Sequence, residues 1–124
     1  MPVEPGLTAR VSARVTPADT ASALGSGDVP VLGTPRLVAL CEEAAIAAVA
    51  GALPDGMTSV GARIDLEHLA PSPVGATISA SAVLTRVEGR SLTFSIEASD
   101  DRTVIGRGVV VRVAVDRDRF LGDI

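Results

Sequence analysis

The sequence predicts an α+β protein in which an antiparallel sheet wraps one long central helix, and three observations carry that prediction. Residues 35 to 51 hold only three charged side chains, Arg36, Glu42 and Glu43, among the apolar runs LVALC and AAIAAVA. A helix apolar nearly all round belongs in a core rather than on a surface. The remainder of the chain alternates between apolar and polar residues at the period of two that marks half-buried strands. A meander of that kind covers a buried helix by curling around it, and pairing with a second copy covers the open edge.

Residues 7 to 16, LTARVSARVT, alternate loosely and predict the first strand. Residues 17 to 33, punctuated by Gly25, Gly27, Pro30 and Gly33, predict a loop with one helical turn. A loop of that length inside a compact domain is more often functional than idle. Thr34 is a good N-cap for the helix, and Pro35 sits at the first helical position, where its missing N–H costs nothing. Gly51 ends the helix, and Leu53-Pro54-Asp55-Gly56 turns the chain.

In the next strand Val60, Ala62, Ile64 and Leu66 share the apolar face, opposed by Ser59, Arg63, Asp65 and Glu67. After the Pro-Ser-Pro turn at 71 to 73, Ile78, Ala80, Ala82 and Leu84 form the inner face of a third strand. Glu88-Gly89-Arg90 makes a hairpin into a fourth, carried by Leu92, Phe94, Ile96 and Ala98. The turn Asp100-Asp101-Arg102 leads into a last strand, 103 to 115, with Ile105, Val109, Val111, Val113 and Val115 in register. No repeat or linker interrupts this order, which predicts one domain over residues 1–124.

The core must be built from Ala, Val, Leu and Ile, because Phe94 and Phe120 are the only aromatic residues. All basic residues are Arg, and Lys, Asn and Gln are missing, a bias typical of a GC-rich bacterial genome. The net charge of −4, with Arg scattered among acids, argues against a nucleic-acid partner. So few aromatics leave no stacking platform for single strands. Cys41 stands alone, which excludes an intrachain disulfide and fits a reducing compartment. The start, MPVEPGL, lacks the basic residues and apolar stretch of a signal peptide. The longest apolar stretch, 37 to 53, is broken by two Glu and short for a membrane span. A cytoplasmic protein with no membrane partner is expected. One His and one Cys cannot supply a zinc ligand set, so no metal and no cofactor are expected. Gly25-Ser26-Gly27-Asp28 lacks the following Lys of a phosphate loop and reads as a flexible lid.

Three residues are candidates for chemistry. At helical period Glu42 joins Val38, Ala45, Ile46 and Val49, so a carboxylate is carried into an apolar stripe. Such a group needs a partner when buried, and it suits a general base; exposure at a dimer surface explains it equally. His68, the only histidine, follows Leu66 at strand spacing near the strand's end, where a structural role competes with a catalytic one. Thr34 is accounted for as an N-cap, yet its hydroxyl also lies at the positive end of a helix, where developing negative charge is stabilised.

These residues line up in one register. Thr34, Glu42 eight residues on, His68 a further 26 on, and Gly61 seven before the His resemble the fluoroacetyl-CoA thioesterase family. TSVG before the strand, HLAPSPVG after it, RVEGRSLTF and VIGRGVVVRVAVDRDRF extend the resemblance over residues 31 to 120. The resemblance implies a hot-dog fold, a homodimer and hydrolysis of an acyl-CoA thioester. It implies Thr34, Glu42 and His68 as the catalytic set, with Gly61, Gly33 and Arg112 as substrate-binding positions. Two departures stand out: Val109, Val110 and Val111 replace polar residues ahead of the Arg, and the 17 to 33 segment holds no aromatic residue. Fluoroacetyl specificity is therefore not implied, and a small or medium acyl group is expected. A non-catalytic acyl-CoA or lipid-binding protein and a hydratase of the same fold are the alternatives, although the hydratase's local motif is missing.

Overall fold

The computed structural model describes residues 2–124, and the elements follow the expected order. They are β1 (Thr8–Arg14), a 3-10 turn (Pro17–Asp19), α1 (Ala21–Leu24), α2 (Thr34–Val49), β2 (Met57–His68), β3 (Thr77–Glu88), β4 (Ser91–Ser99), β5 (Val104–Asp116) and α3 (Arg117–Gly122). Among the described residues the strands form one antiparallel sheet in the order β1-β3-β4-β5-β2, which leaves β1 and β2 at its edges.

Helix α2 lies in the hollow of this sheet. Leu37, Cys41, Ala44, Ala45 and Val49 are buried against the inward residues of β3 and β4, Ile78, Ala80, Ala82, Leu84, Leu92, Phe94, Ile96 and Ala98. Alanines on both sides of this contact let the helix approach closely, and Phe94, fully buried, fills the space between them. The burial is one-sided. Ile46 is 45% exposed, Ala47 is exposed and Val38 is only half-buried, so an apolar face of α2 stays uncovered. The expectation of a helix buried all round fails here because the sheet, five strands wide, encloses only one side.

Three expectations are corrected in detail. Gly33, not Thr34, is the N-cap, and the helix starts at Thr34 without a side-chain cap. The helix also ends at Val49, short of Gly51. In β2 the ladder pairs Gly61 with Arg112 but Arg63 with Val111, leaving Ala62 as the extra residue of a β-bulge. A bulge inserts one residue and reverses the phase of the faces beyond it. Ser59 and Gly61 therefore face α2 before the bulge and Ile64, Leu66 and His68 after it, while Val60 points away.

In β5 the inward set is Gly106, Gly108, Val110, Arg112 and Ala114, not the valines at 109, 111 and 113. Val109 is 39% exposed, and Val111 and Val113 are half-buried on the outer face. Ile105 is buried as expected, next to another register shift, between Ala98 and Ser99. Gly108 is required by space, because a Cβ there would strike the Asp65 carbonyl, and Gly106 is tightly placed, with a Cβ 3.1 Å from Leu37 Cδ2.

Because Phe94 is the only ring in the core, truncating it leaves a cavity that the surrounding alanines cannot refill. Phe94→Ala is expected to cost about 3–5 kcal/mol in denaturant unfolding. A midpoint equal to the wild type's would contradict this packing.

Candidate active site

His68 is the last residue of β2, and the bulge turns it toward the N-terminus of α2. There Thr34 Oγ1 lies 2.8 Å from His68 Nδ1, in a hydrogen bond whose direction follows the imidazole tautomer. The other ring nitrogen, Nε2, is buried without a partner. Burial pushes the His68 pKa below the ordinary histidine value, and the backbone at Ala70 pulls weakly the other way. At neutral pH the imidazole is thus held uncharged, able to accept a proton. Thr34 and His68 form one wall of a cleft of about 300 Å³ that the 17–33 segment overhangs.

Two turns further along α2, Glu42 meets a second group of residues. Arg112 Nη1 donates to Glu42 Oε2 at 2.7 Å, its Nε donates to Ser59 Oγ at 2.8 Å and its Nη2 to the Ser59 carbonyl at 2.8 Å. The Arg112 side chain is 7% exposed and that of Glu42 30%, so the carboxylate stands at the rim with a buried cation behind it. Gly61 packs on the same carboxylate: a Cβ there would lie 2.6 Å from Glu42 Oε2. Only glycine permits this approach without displacing Glu42. Cys41, the neighbour of Glu42, offers no nucleophile, since burial and then the Glu42 charge push its thiol up to about 11.

The expected residues thus fall into two groups. Thr34 joins His68, and Glu42 joins Gly61 and Arg112. The eight residues from Thr34 to Glu42 separate the groups by about 12 Å of helix. Arg112 has its guanidinium committed to Glu42 and Ser59. Gly33 is buried, its N–H donates to the Asp19 carbonyl at 2.8 Å, and its own carbonyl accepts from Arg36 and Leu37. A Cβ at Gly33 would lie 2.9 Å from Leu24 Cδ1, so this residue lets α1 close over the helix start.

Sequence reasoning missed Ser59, which shares the inner face with Gly61 but was placed opposite the apolar set. It also missed Asp100. That carboxylate accepts from the backbone N–H of Arg102 and of Thr103 and from Ser72 Oγ, and its pKa is lowered chiefly by the Arg102 N–H. The Ser72 backbone carbonyl in turn accepts from the Leu32 N–H at 2.8 Å, so the turn after His68 is tied to the segment that leads into Thr34. Among the described residues no cluster of three or more His, Cys, Asp or Glu is placed to hold a metal ion. No helix among them is long and apolar enough to cross a membrane.

A long helix cradled by a curved antiparallel sheet defines a hot-dog protein, and the comparison with solved structures agrees. The chain belongs to the fluoroacetyl-CoA-specific thioesterase family (FlK), whose family model matches residues 15–118. It is 36% identical over 90 residues to the fluoroacetyl-CoA thioesterase of Streptantibioticus cattleyicolor, an alignment spanning 73% of this chain and 65% of that protein's length. The solved structure of the fluoroacetyl-CoA thioesterase FlK superposes with a TM-score of 0.92 at 29% identity, covering 99% of this chain and 96% of that one. A thioesterase-superfamily protein of Thermus thermophilus gives a TM-score of 0.90 at 25% identity, covering 98% of this chain and 90% of that one.

Two measurements check this geometry. Arg112→Met leaves Glu42 and Ser59 without their donor; because Glu42 is partly exposed, a loss of about 1–3 kcal/mol is expected. Unchanged denaturant stability would show that the ion pair holds nothing. His68, as the sole histidine, gives a single imidazole titration by NMR. Its midpoint is expected below about 6.5. The unfolded chain then takes up the proton before the native one does, so this residue's contribution to stability is present above about pH 6.5 and is lost as pH falls through the lowered native pKa. A midpoint at or above the ordinary value would overturn the assignment.

Proposed function

We propose that this protein hydrolyses an acyl-CoA thioester to the free acid and CoA, with Thr34, Glu42 and His68 at the reaction site. The observation that carries the reading is the Thr34–His68 hydrogen bond at the wall of an apolar cleft, beside a helix N-terminus. Family membership supports the choice of a thioester.

In one chain Glu42 stands apart from that pair, and the numbering suggests how the three meet. On α2 the midpoint between Thr34 and Glu42 is Val38, which is half-buried on the uncovered side. On β2 the midpoint between Gly61 and His68 falls between Ile64 and Asp65, on an edge strand. A two-fold axis through both midpoints would run α2 and β2 antiparallel to their copies. It would set Glu42 and Gly61 of one protomer against Thr34 and His68 of the other. The same pairing would cover the open β2 edge and the exposed Ile46 face. The homodimer is therefore part of the reading, and so is a bacterial cytoplasmic setting, which the lone buried Cys41 suits.

Within such a site Glu42 activates the attacking water or attacks the thioester carbonyl itself. Thr34 positions the carbonyl or serves as the alternative nucleophile, and backbone N–H groups at the start of α2 face the developing oxyanion. The C–S bond breaks, and the CoA thiolate leaves with the proton that the attacking water or hydroxyl has given up, relayed through His68. Where Glu42 or Thr34 is the nucleophile, water then cleaves the acyl-enzyme to release the free acid. Arg112 fixes the carboxylate that does this work. Free-thiol release from a panel of acyl-CoAs tests the activity, and Glu42→Gln is expected to lower kcat/KM by about 10²–10⁴. Unchanged turnover in that variant would remove Glu42 from the site. Light scattering at micromolar concentration should give the mass of a dimer; a monomer that still turns over would exclude the composite site.

A further inference from the structure

We infer that the cleft beside Thr34 and His68 is the acyl pocket, and that it selects uncharged aliphatic acyl groups, straight or branched, of about four to eight carbons. This rests on the thioesterase reading and adds the substrate class to it. Beyond the two polar residues the cleft is walled by Ala21, Val29, Val31 and Leu32 of the overhanging segment and by Leu69 and Ala70 after β2. Ser26 adds the one other hydroxyl among its lining residues, and within one protomer no Asp, Glu or Arg lines it. The only charge brought to its mouth in the paired site is therefore the Glu42 carboxylate of the other copy.

Size and rigidity decide the class. The cleft holds about 300 Å³. A methylene takes up roughly the room of a water molecule, about 30 Å³. The space thus suits about ten non-hydrogen atoms, some of them belonging to the thioester. An acetyl group would leave most of this volume as water against apolar walls.

The walls do not close down on a short chain. The overhanging segment is locked by Ala21 N–H to the Val31 carbonyl at 2.8 Å, Ser22 N–H to the Val29 carbonyl at 3.2 Å and Gly33 N–H to the Asp19 carbonyl at 2.8 Å. Arg36 adds an ion pair to Asp19 at 3.3 Å. Each methylene that enters the fixed pocket raises affinity by up to about fourfold until it is full. A carboxylate at the far end of the acyl chain would find no cation or multiple-donor partner among these walls and is selected against.

The test is kcat/KM measured from acetyl- to decanoyl-CoA, with isovaleryl- and succinyl-CoA alongside. The expected result is a rise of up to about fourfold per methylene to an optimum between butanoyl and octanoyl, with a fall by decanoyl. Isovaleryl-CoA should exceed acetyl-CoA, and succinyl-CoA should fall at least about tenfold below butanoyl-CoA. A maximum at acetyl-CoA overturns the inference and leaves the thioesterase reading standing. No thiol release from any member overturns the reading beneath it. Val31→Phe and Ala70→Leu narrow the cleft from opposite walls and should move the optimum to shorter chains. An unmoved optimum in either folded variant removes the cleft as the acyl pocket.

Discussion

The face of α2 that meets the sheet is built from Cys41, Ala44, Ala45 and Ala48, and it rests on an inner sheet surface in which Ala80, Ala82 and Ala98 recur. Small residues on both sides bring the helix axis close to the strands, and that distance governs the rest of the molecule. A thicker layer of Leu or Phe would lift α2 and carry Thr34 away from His68 and Glu42 away from Gly61. The last of these contacts is close, since a methyl group at residue 61 would lie 2.6 Å from the carboxylate and push the end of that side chain aside. Close packing transmits a core dimension directly into the spacing of the candidate site residues.

The bulge at Ala62 does the complementary work on β2. Gly61 and His68 are seven residues apart, an odd separation that puts them on opposite faces of a regular strand. The inserted residue restores both to the face that sees α2. One irregularity in the ladder therefore decides that a single helix can address two points on a single strand. The glycines at 106 and 108 act in the same region. With no side chain at either position, β5 lies close against the β2 backbone, where a Cβ at Gly108 would strike the Asp65 carbonyl and one at Gly106 would lie 3.2 Å from the Glu67 carbonyl oxygen.

This explains which parts of the molecule were legible in the sequence. Element order, the central helix and the inner faces of β3 and β4 follow from periodicity, because Ile78, Ala80, Ala82, Leu84 and Leu92, Phe94, Ile96, Ala98 oppose polar neighbours. The faces of β2 and β5 do not. In β5 both alternations are apolar, and the valines at 109, 111 and 113 outweigh a true inner set of two glycines, one valine, an arginine and an alanine. The inner set is chosen by steric need and by the Arg112–Glu42 pair, neither of which a hydrophobic pattern records. In β2 a bulge leaves no trace in composition, so Ser59 was assigned to the wrong face. Thr34 was legible as a helix start but read as a cap. Gly33 takes that position, and the freed hydroxyl turns to His68.

Arg112 shows why a carboxylate can be kept on an otherwise apolar helix. Three donors of one guanidinium are shared between Glu42 and Ser59, so the buried cation is satisfied on every side that the sheet offers. The carboxylate keeps its outer edge in solvent. At the other group, the walls of the cleft are held by backbone hydrogen bonds from Ala21, Ser22 and Gly33, which do not depend on the side chains that face the interior. The candidate polar groups are thus fixed by packing and charge, whereas the apolar residues that line the cleft can change without disturbing either. A shared fold and a shared set of polar residues therefore constrain the bond that is cleaved much more tightly than the acyl group attached to it.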